Sequence, residues 1–202
     1  MKTAILTAAL ALTTVLGIGC PAYAATGEKT EVSAMLAGIS NISEIEVHGN
    51  VQLYLTTASD EKVKVYNNYY AEDALVQEQD GVLRITSYTA EKLVVWVTVN
   101  DLSKLSVFDN AKVTSFGKLS AIDLDVNLYN HGVAQLNMDA FNASVSLNDR
   151  SGADLSGIVE NGTVQFSRSS YLNSANLTAA YLDKPVKFSQ AKCDSPRVLA
   201  SL

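Results

Sequence analysis

Charged and amide side chains recur at one position of a repeating pattern in the second half of the chain. The position lies two residues after the apolar residue that ends each repeat, and its occupants are separated by 21, 19, 19 and 22 residues. They are Asp109, Asn130, Asp149, Arg168 and Gln190, here called the corner column. His131 and Arg150 directly follow two of them. Carboxylates beside amide and cationic groups suit the binding or cleavage of sugars, so these residues form a candidate ligand face.

The spacing of the corner column decides between sugar binding and sugar cleavage. Stacked repeats would place adjacent members about 5 Å apart, so Asp149 and Arg168 are expected to pair. Asp109 and Asp149 are two repeats apart, or about 10 Å. Glycoside hydrolysis needs two carboxyl groups about 5 to 9.5 Å apart, which makes this pair borderline. The column therefore favours a solvated ladder of turns with a surface ion pair over a catalytic site.

A second candidate surface is a cluster of tyrosines beside asparagines. Tyr66, Tyr69 and Tyr70 flank Asn67 and Asn68, an arrangement that would suit stacking against carbohydrate. The alternative is that these rings cover one end of the fold while their hydroxyl groups reach water. Trp96 lies in the longest apolar strand and is expected in the core.

The remaining reactive residue types form no motif. His48 and His131 have no Cys or His at metal-ligand spacing, and calcium-binding glycine repeats are missing from the sequence. A Gly-x-Ser-x-Gly elbow and a phosphate-binding glycine loop are missing as well. The sequence therefore predicts no metal, no cofactor and no catalytic residue.

An apolar-polar-apolar triplet precedes each member of the corner column. Strand side chains alternate between two faces, so each triplet places two apolar residues inside and one polar residue outside. Repeats of about 20 residues with this alternation predict the coils of an all-β parallel solenoid, with a β-sandwich as the alternative. The triplets are Leu105-Ser106-Val107, Val126-Asn127-Leu128, Val145-Ser146-Leu147, Val164-Gln165-Phe166 and Val186-Lys187-Phe188.

The first half also reads as β structure, but without a regular repeat. Alternating segments from Ile45 to Leu55 and from Val82 to Ile85 predict strands, and Leu93 to Val99 predicts the most continuous one. Residues 70–77 predict a short helix or an irregular link. Because the ends of a solenoid expose core and unpaired backbone, this half is expected to begin or cap the stack.

The N-terminus has the pattern of an export signal. Lys2 precedes an uncharged run to Gly19, and Ala22-Tyr23-Ala24 forms a cleavage site, which predicts removal of residues 1–24. The run is shorter than the roughly 20 residues of a membrane span, so none is expected. Acylation of Cys20 in a lipoprotein is the alternative. The net charge of −6 disfavours nucleic acid as a partner.

Several of these segments resemble the putative auto-transporter adhesin, head GIN domain family, which is common in Bacteroidetes. The resemblance rests on Ile42 to Leu55, Asp80 to Ile85, Val95 to Val99 and the tandem coils after Leu105. It implies a right-handed parallel β-helix over residues 42–190, between an N-terminal segment at 25–41 and a tail at 191–202. The Ser-Gly-Ala-Ser turn typical of the family survives here as Ser151-Gly152-Ala153 and weakly as Ser169-Ser170. The resemblance supplies no catalytic residues.

Together these observations predict a secreted or periplasmic β-solenoid that binds a glycan or a cell-envelope component without turnover. A polysaccharide lyase or hydrolase on the same scaffold is the alternative function. A third possibility is a structural envelope protein that associates with itself. The sequence does not identify the ligand.

Overall fold

The structure is a computed structural model, and it describes residues 33–36, 39–66 and 74–187. These residues form strands and turns and no helix, which confirms the all-β prediction. The fourteen strands join in one hydrogen-bonded sheet. They are β1 Ser33–Leu36, β2 Glu44–Gly49, β3 Val51–Thr57, β4 Lys62–Tyr66, β5 Ala74–Gln79, β6 Val82–Ser87, β7 Leu93–Val99, β8 Lys104–Val107, β9 Lys112–Ser115, β10 Leu119–Leu128, β11 Val133–Leu147, β12 Gly152–Ser167, β13 Tyr171–Asp183 and β14 Val186–Lys187.

Strands of the second half stack in parallel, each on the one a repeat earlier. Leu128 of β10 pairs with Leu147 of β11, and Leu147 pairs with Phe166 of β12. The predicted stacking of these three side chains is therefore confirmed. From β8 to β14 all described pairings are parallel, so the sandwich alternative is wrong there.

The core follows the alternation of the triplets. Leu105, Val126 and Val145 are at most 1% exposed, while Asn127 and Ser146 between the apolar positions are half-buried. Each inner repeat thus buries its apolar face against the repeats on both sides. No repeat can do this alone, so the core depends on stacking rather than on any one strand.

The first half joins the stack out of chain order. Strand β2 lies between β6 and β8, and β3 lies between β7 and β9, with all four pairings parallel. The pass through residues 44–57 is therefore inserted between the passes through 82–99 and 104–115. A regular solenoid with coils stacked in chain order is wrong for this half. The reason is that the chain leaves β3 through β4 and β5 and then returns as β6 and β7 on the outer side of β2 and β3.

Antiparallel strands cover the outer side of the pass through residues 82–99. Strand β4 pairs with β7, β5 pairs with β6, and the short β1 pairs with β4. The expectation that the first half begins and caps the stack is consistent with this arrangement. The prediction of a helix or irregular link is wrong for Ala74 to Gln77, which belong to β5; residues 70–73 lie outside the described residues.

Two further predictions need correction. Trp96 points outward and is 36% exposed, whereas Val95 and Val97 on either side of it are buried. Every residue from Leu93 to Val97 is apolar, so the sequence pattern could not say which face was inside. Val186 pairs with Phe166 rather than with Val164, so the register of the last triplet is shifted by two residues.

Within the described residues, no helix has the length and apolar character needed to cross a membrane. The predicted export signal at residues 1–24, Cys20, Cys193 and the predicted tail at 191–202 lie outside the described residues. So do Tyr69, Tyr70 and Gln190.

Candidate functional site

Three members of the corner column lie just after the ends of three strands, β8, β10 and β11. Asp109, Asn130 and Asp149 each lie in the tight turn after a buried strand, with φ angles of 60°, 59° and 57°. This left-handed conformation is strained for most residues, but Asp and Asn tolerate it. The choice of Asp and Asn therefore has a structural reason apart from any ligand.

Backbone hydrogen bonds tie successive turns together. The amide of His131 donates to the Asp109 carbonyl at 3.0 Å, and the amide of Arg150 donates to the Asn130 carbonyl at 2.9 Å. The turns are thereby held in register, as the strands before them are. The side chains of the column are presented from a fixed backbone.

An asparagine links the two aspartates of the column. Asn130 Nδ2 donates to Asp109 Oδ1 at 2.9 Å, and its backbone amide donates to Asp149 Oδ2 at 3.3 Å. Tyr88, from the connection between β6 and β7, donates its hydroxyl to Asp109 Oδ2 at 2.9 Å. This hydrogen bond is the main reason that the pKa of Tyr88 is raised; slight burial and the negative charge of Asp109 act in the same direction.

These side chains line an open groove of about 500 Å³ along the corner. The structure brings together five of the seven predicted ligand-face residues there; Arg168 is not among the lining residues, and Gln190 lies outside the described residues. Ser169 lines the groove in its place, and its hydroxyl donates to the Asp149 carbonyl. The lining residues are Asp109, Asn110, Asn130, His131, Asp149, Arg150 and Ser169, here called the corner groove.

The groove combines both kinds of hydrogen-bonding group. Asp109 and Asp149 supply carboxylate acceptors, while Arg150 and the asparagine amides supply donors. Most of these side chains are exposed, and Asp109 is half-buried. Such a surface can hold a polyhydroxylated ligand by several hydrogen bonds along its length. Among the described residues, no group of three or more His, Cys, Asp or Glu is placed to hold a metal ion.

A ladder of rings, which the sequence did not reveal, runs beside the column. His48 stacks on Phe108 with ring centroids 4.3 Å apart, and Phe108 stacks on Tyr129 at 4.8 Å. Phe108 and Tyr129 each directly precede a residue of the corner column, and this shared position in the repeat was a signal that could have predicted their stacking. His48 is separated from Phe108 by 60 positions, and only the out-of-order pairing of β2 with β8 brings them together.

The predicted tyrosine surface is only partly described. Tyr66 lies at the end of β4, half-buried, with Lys64 Nζ 4.5 Å from its ring centroid. It does not line the corner groove. Trp96 instead forms an outward aromatic cluster with Tyr54, at 4.7 Å between ring centroids, and with Phe116, at 5.8 Å.

Residues 41–186 match the model of a family described as putative auto-transporter adhesin, head GIN domain. The chain belongs to this family. The resemblance predicted from the strand segments and the coils is confirmed. No curated protein matches the sequence.

Three solved structures similar to this head GIN domain come from Parabacteroides species. A putative adhesin of Parabacteroides distasonis has a TM-score of 0.58 and 16% identity, with 77% of each chain covered. A putative adhesin of Parabacteroides merdae has a TM-score of 0.60 and 12% identity, again with 77% of each chain covered. A protein of Parabacteroides distasonis described as a putative lipid binding protein has a TM-score of 0.62 and 12% identity, covering 77% of this chain and 78% of its own. At these identities the likeness shows the fold alone.

Proposed function

We propose that this head GIN domain protein is an exported, non-catalytic adhesin that binds a glycan along the corner groove. The observation that carries the proposal is the fixed row of Asp109, Asn130 and Asp149, which offers alternating acceptors and donors on a rigid backbone. Arg150 and His131 add groups that can donate to sugar oxygens. Family membership supports an adhesin-like role, and the ligand class is inferred from the groove itself.

The scaffold in this proposal is a right-handed parallel β-helix. Parallel pairings with offsets near 19 residues support it, since each offset corresponds to one turn of the chain around the core. Such a scaffold suits adhesion because successive coils present similar strips of surface, and weak contacts add along the axis.

A binding role fits the groove better than polysaccharide cleavage does. The groove is open, and Asn130 bonds to both carboxylates, so the space between them is not free for a glycosidic bond and a water molecule. Catalysis of that kind needs two carboxyl groups facing each other across a bound sugar. Incubation with acidic polysaccharides that released unsaturated or reducing ends, and lost this activity in Asp149→Ala, would restore the enzyme alternative.

Export through residues 1–24 is part of the same proposal. The alternative is a lipoprotein anchored through Cys20. Mass spectrometry of the mature protein distinguishes them, because an N-terminus at Ala25 supports export with cleavage and an acylated cysteine supports anchoring.

The groove can be tested with a matched pair of asparagine variants. Asn130 and Asn142 both donate through Nδ2 to an aspartate of the neighbouring coil, at 2.9 Å and 2.7 Å, but Asn142 lies on another corner of the fold. The wild-type chain is first screened on a glycan array at low and moderate salt. For the best glycan, Asn130→Ala should weaken binding at least 10-fold, whereas Asn142→Ala should change it less than 2-fold.

Two results would overturn the proposed site. Equal loss in both variants would show that binding is not located at the corner groove. Failure to bind any glycan or envelope fraction at any salt concentration would refute the binding function itself.

A further inference from the structure

The two ends of the stack are finished differently. At the first end, β4 and β5 pair antiparallel with the outermost parallel strands β7 and β6. At the other end, the outermost long strand is β13, and within the described residues it pairs only with β12. Among the described residues, nothing therefore pairs with the backbone N–H and C=O groups on the outer edge of this 13-residue strand.

The core is also incompletely covered at this end. Leu172, Leu177 and Ala179 of β13 are only partly buried. Val159, the partner of Ala179 one coil further in, is 1% exposed. Completing the burial of this layer would require another layer on top, as each inner coil has.

Most of this edge lacks the usual protection against pairing; the exception is Lys184, whose Nζ donates to Ser174 Oγ at 2.7 Å. Natural edge strands are kept short or carry charges and prolines that block association. From Tyr171 to Leu182 there is neither a charged residue nor a proline, and Asp183 is the first charge. Tyr181 is 72% exposed and Leu182 is 36% exposed, which adds apolar surface at the same end.

The outer paired segments of β13 lie symmetrically about its middle residue, Leu177. The pairing of β13 with β12 is interrupted at Ser174–Ala175 and again at Ala180. These interruptions divide the strand into paired segments at residues 171–173, 176–179 and 181–183. The outer segments are equal in length and equally far from Leu177, so a two-fold axis at Leu177 would exchange them and would keep opposed side chains on the same face.

We propose that two copies of this chain associate end to end through antiparallel pairing of β13 with β13 of the second copy. A two-fold axis at Leu177 places Ser174 of one strand opposite Ala180 of the other, and it keeps the Asp183 side chains at opposite ends of the pairing. Antiparallel strands already cover the first end in the form of β4 and β5. Because the isologous interface uses the same edge of both copies, the assembly stops at a dimer.

This dimer is independent of the proposed glycan site. The corner groove belongs to the turns, whereas the interface belongs to the last strand. A monomer could bind a glycan, and a dimer could form without any ligand. If both hold, the dimer carries two grooves and gains avidity for a surface with many copies of the ligand.

A matched pair of lysine variants tests the interface. Thr178 is exposed and lies beside the proposed axis, so Thr178→Lys places two ammonium groups close together in the dimer. Ser120 lies in the same column of register partners, through Asp139 and Ile158, but three coils away from the edge. Ser120→Lys thus adds the same charge to an equally exposed site outside the interface.

The measurement is the molar mass of the chain from Ala25 onward, by light scattering and sedimentation from about 1 to about 200 μM, a range of roughly two decades that brackets micromolar dissociation constants. A reducing agent is present so that Cys193 cannot link two copies. The wild-type chain should shift from monomer to dimer. Thr178→Lys should raise the dissociation constant at least 10-fold, and Ser120→Lys less than 2-fold. Circular dichroism of both variants checks that they fold.

Hydrogen exchange supplies the second readout. The amides of β13 that point away from β12 should be protected in the wild-type dimer and lose that protection on dilution and in Thr178→Lys. A monomer at all concentrations, assembly beyond a dimer, or equal effects of the two lysines would overturn the proposal. Concentration-independent protection of these outward-pointing amides would also overturn it, because the edge would then be covered by the chain itself.

Discussion

Gly157 gives the sharpest test of how closely successive coils approach each other. It lies within β12 at a φ of 104°, and a Cβ atom added there would lie 2.0 Å from the Met138 carbonyl oxygen of the preceding coil. An L-residue in a left-handed conformation costs about 1 to 2 kcal/mol. Relief of the clash requires a backbone shift, worth about 1 to 3 kcal/mol more. We expect Gly157→Ala to lower the free energy of unfolding by about 3 kcal/mol in total.

Two other glycines separate the conformational cost from the cost of relieving the clash. Gly117 has a φ of 83° but nothing within 4 Å of an added Cβ, so Gly117→Ala should cost only the conformational part, about 1 kcal/mol. Gly152, in the same strand as Gly157, has no left-handed φ and its nearest atom at 3.9 Å. Gly152→Ala should change stability by less than about 0.5 kcal/mol.

The assay is urea unfolding followed by circular dichroism, with thermal unfolding as a check. For a domain of this size, about 3 kcal/mol corresponds to a fall in melting temperature of roughly 6 to 12 °C. If Gly157→Ala matched Gly152→Ala, the coils would not approach as closely as the structure has them at this position. If Gly117→Ala cost as much as Gly157→Ala, the clash with the Met138 carbonyl would not be the cause.

Three further predictions concern the core and the polar surface. Leu147→Ala, at a fully buried position, should lower the free energy of unfolding in urea by about 3 kcal/mol. Ile122→Ala, at a position that is 68% exposed, should lower it by less than about 0.5 kcal/mol, and similar values for the two variants would contradict the stacked core. Asn142→Ala should cost about 1 kcal/mol, because this side chain both donates and accepts in an asparagine ladder across coils; an unchanged unfolding midpoint would refute its contribution. The Tyr88 hydroxyl should titrate above its ordinary pKa in ¹³C NMR, and Asp109→Asn should lower that pKa. The folded state holds the Tyr88 proton more tightly than the unfolded state does. The contribution of this proton to folding stability is therefore complete below pH 10 and is lost as pH rises through the folded pKa. An unchanged Tyr88 titration in Asp109→Asn would refute the assigned cause.

The local rules that act between neighbours in the chain were enough to predict the repeating half. Alternation placed Val126, Val145 and Val164 on the inner face, and their spacing of 19 residues equals the register of the paired strands. The turn residues after three of the triplets followed from the tolerance of Asp and Asn for left-handed backbone. Most of the corner groove could therefore be assembled from the sequence.

Long-range pairing decided the rest. The position of β2 between β6 and β8 depends on which edges are free when the chain returns, and no local pattern records this. It alone brings His48 onto Phe108. A uniformly apolar segment such as Leu93 to Val97 cannot say which of its faces is inside, so Trp96 was misplaced. A shift of two residues preserves alternation, so the register of Val186 was settled only by the backbone hydrogen bonds of the folded chain.

The sequence by itself determined that the chain is all-β, that its second half repeats, and which residues turn its corners, because those properties depend on side chains a few positions apart. Tertiary structure decided the order of the first passes, the hydrogen bonds from Tyr88 to Asp109 and from Asn130 to both aspartates, and the edge of β13 that no described strand covers. Those features depend on residues that meet only after distant strands have paired.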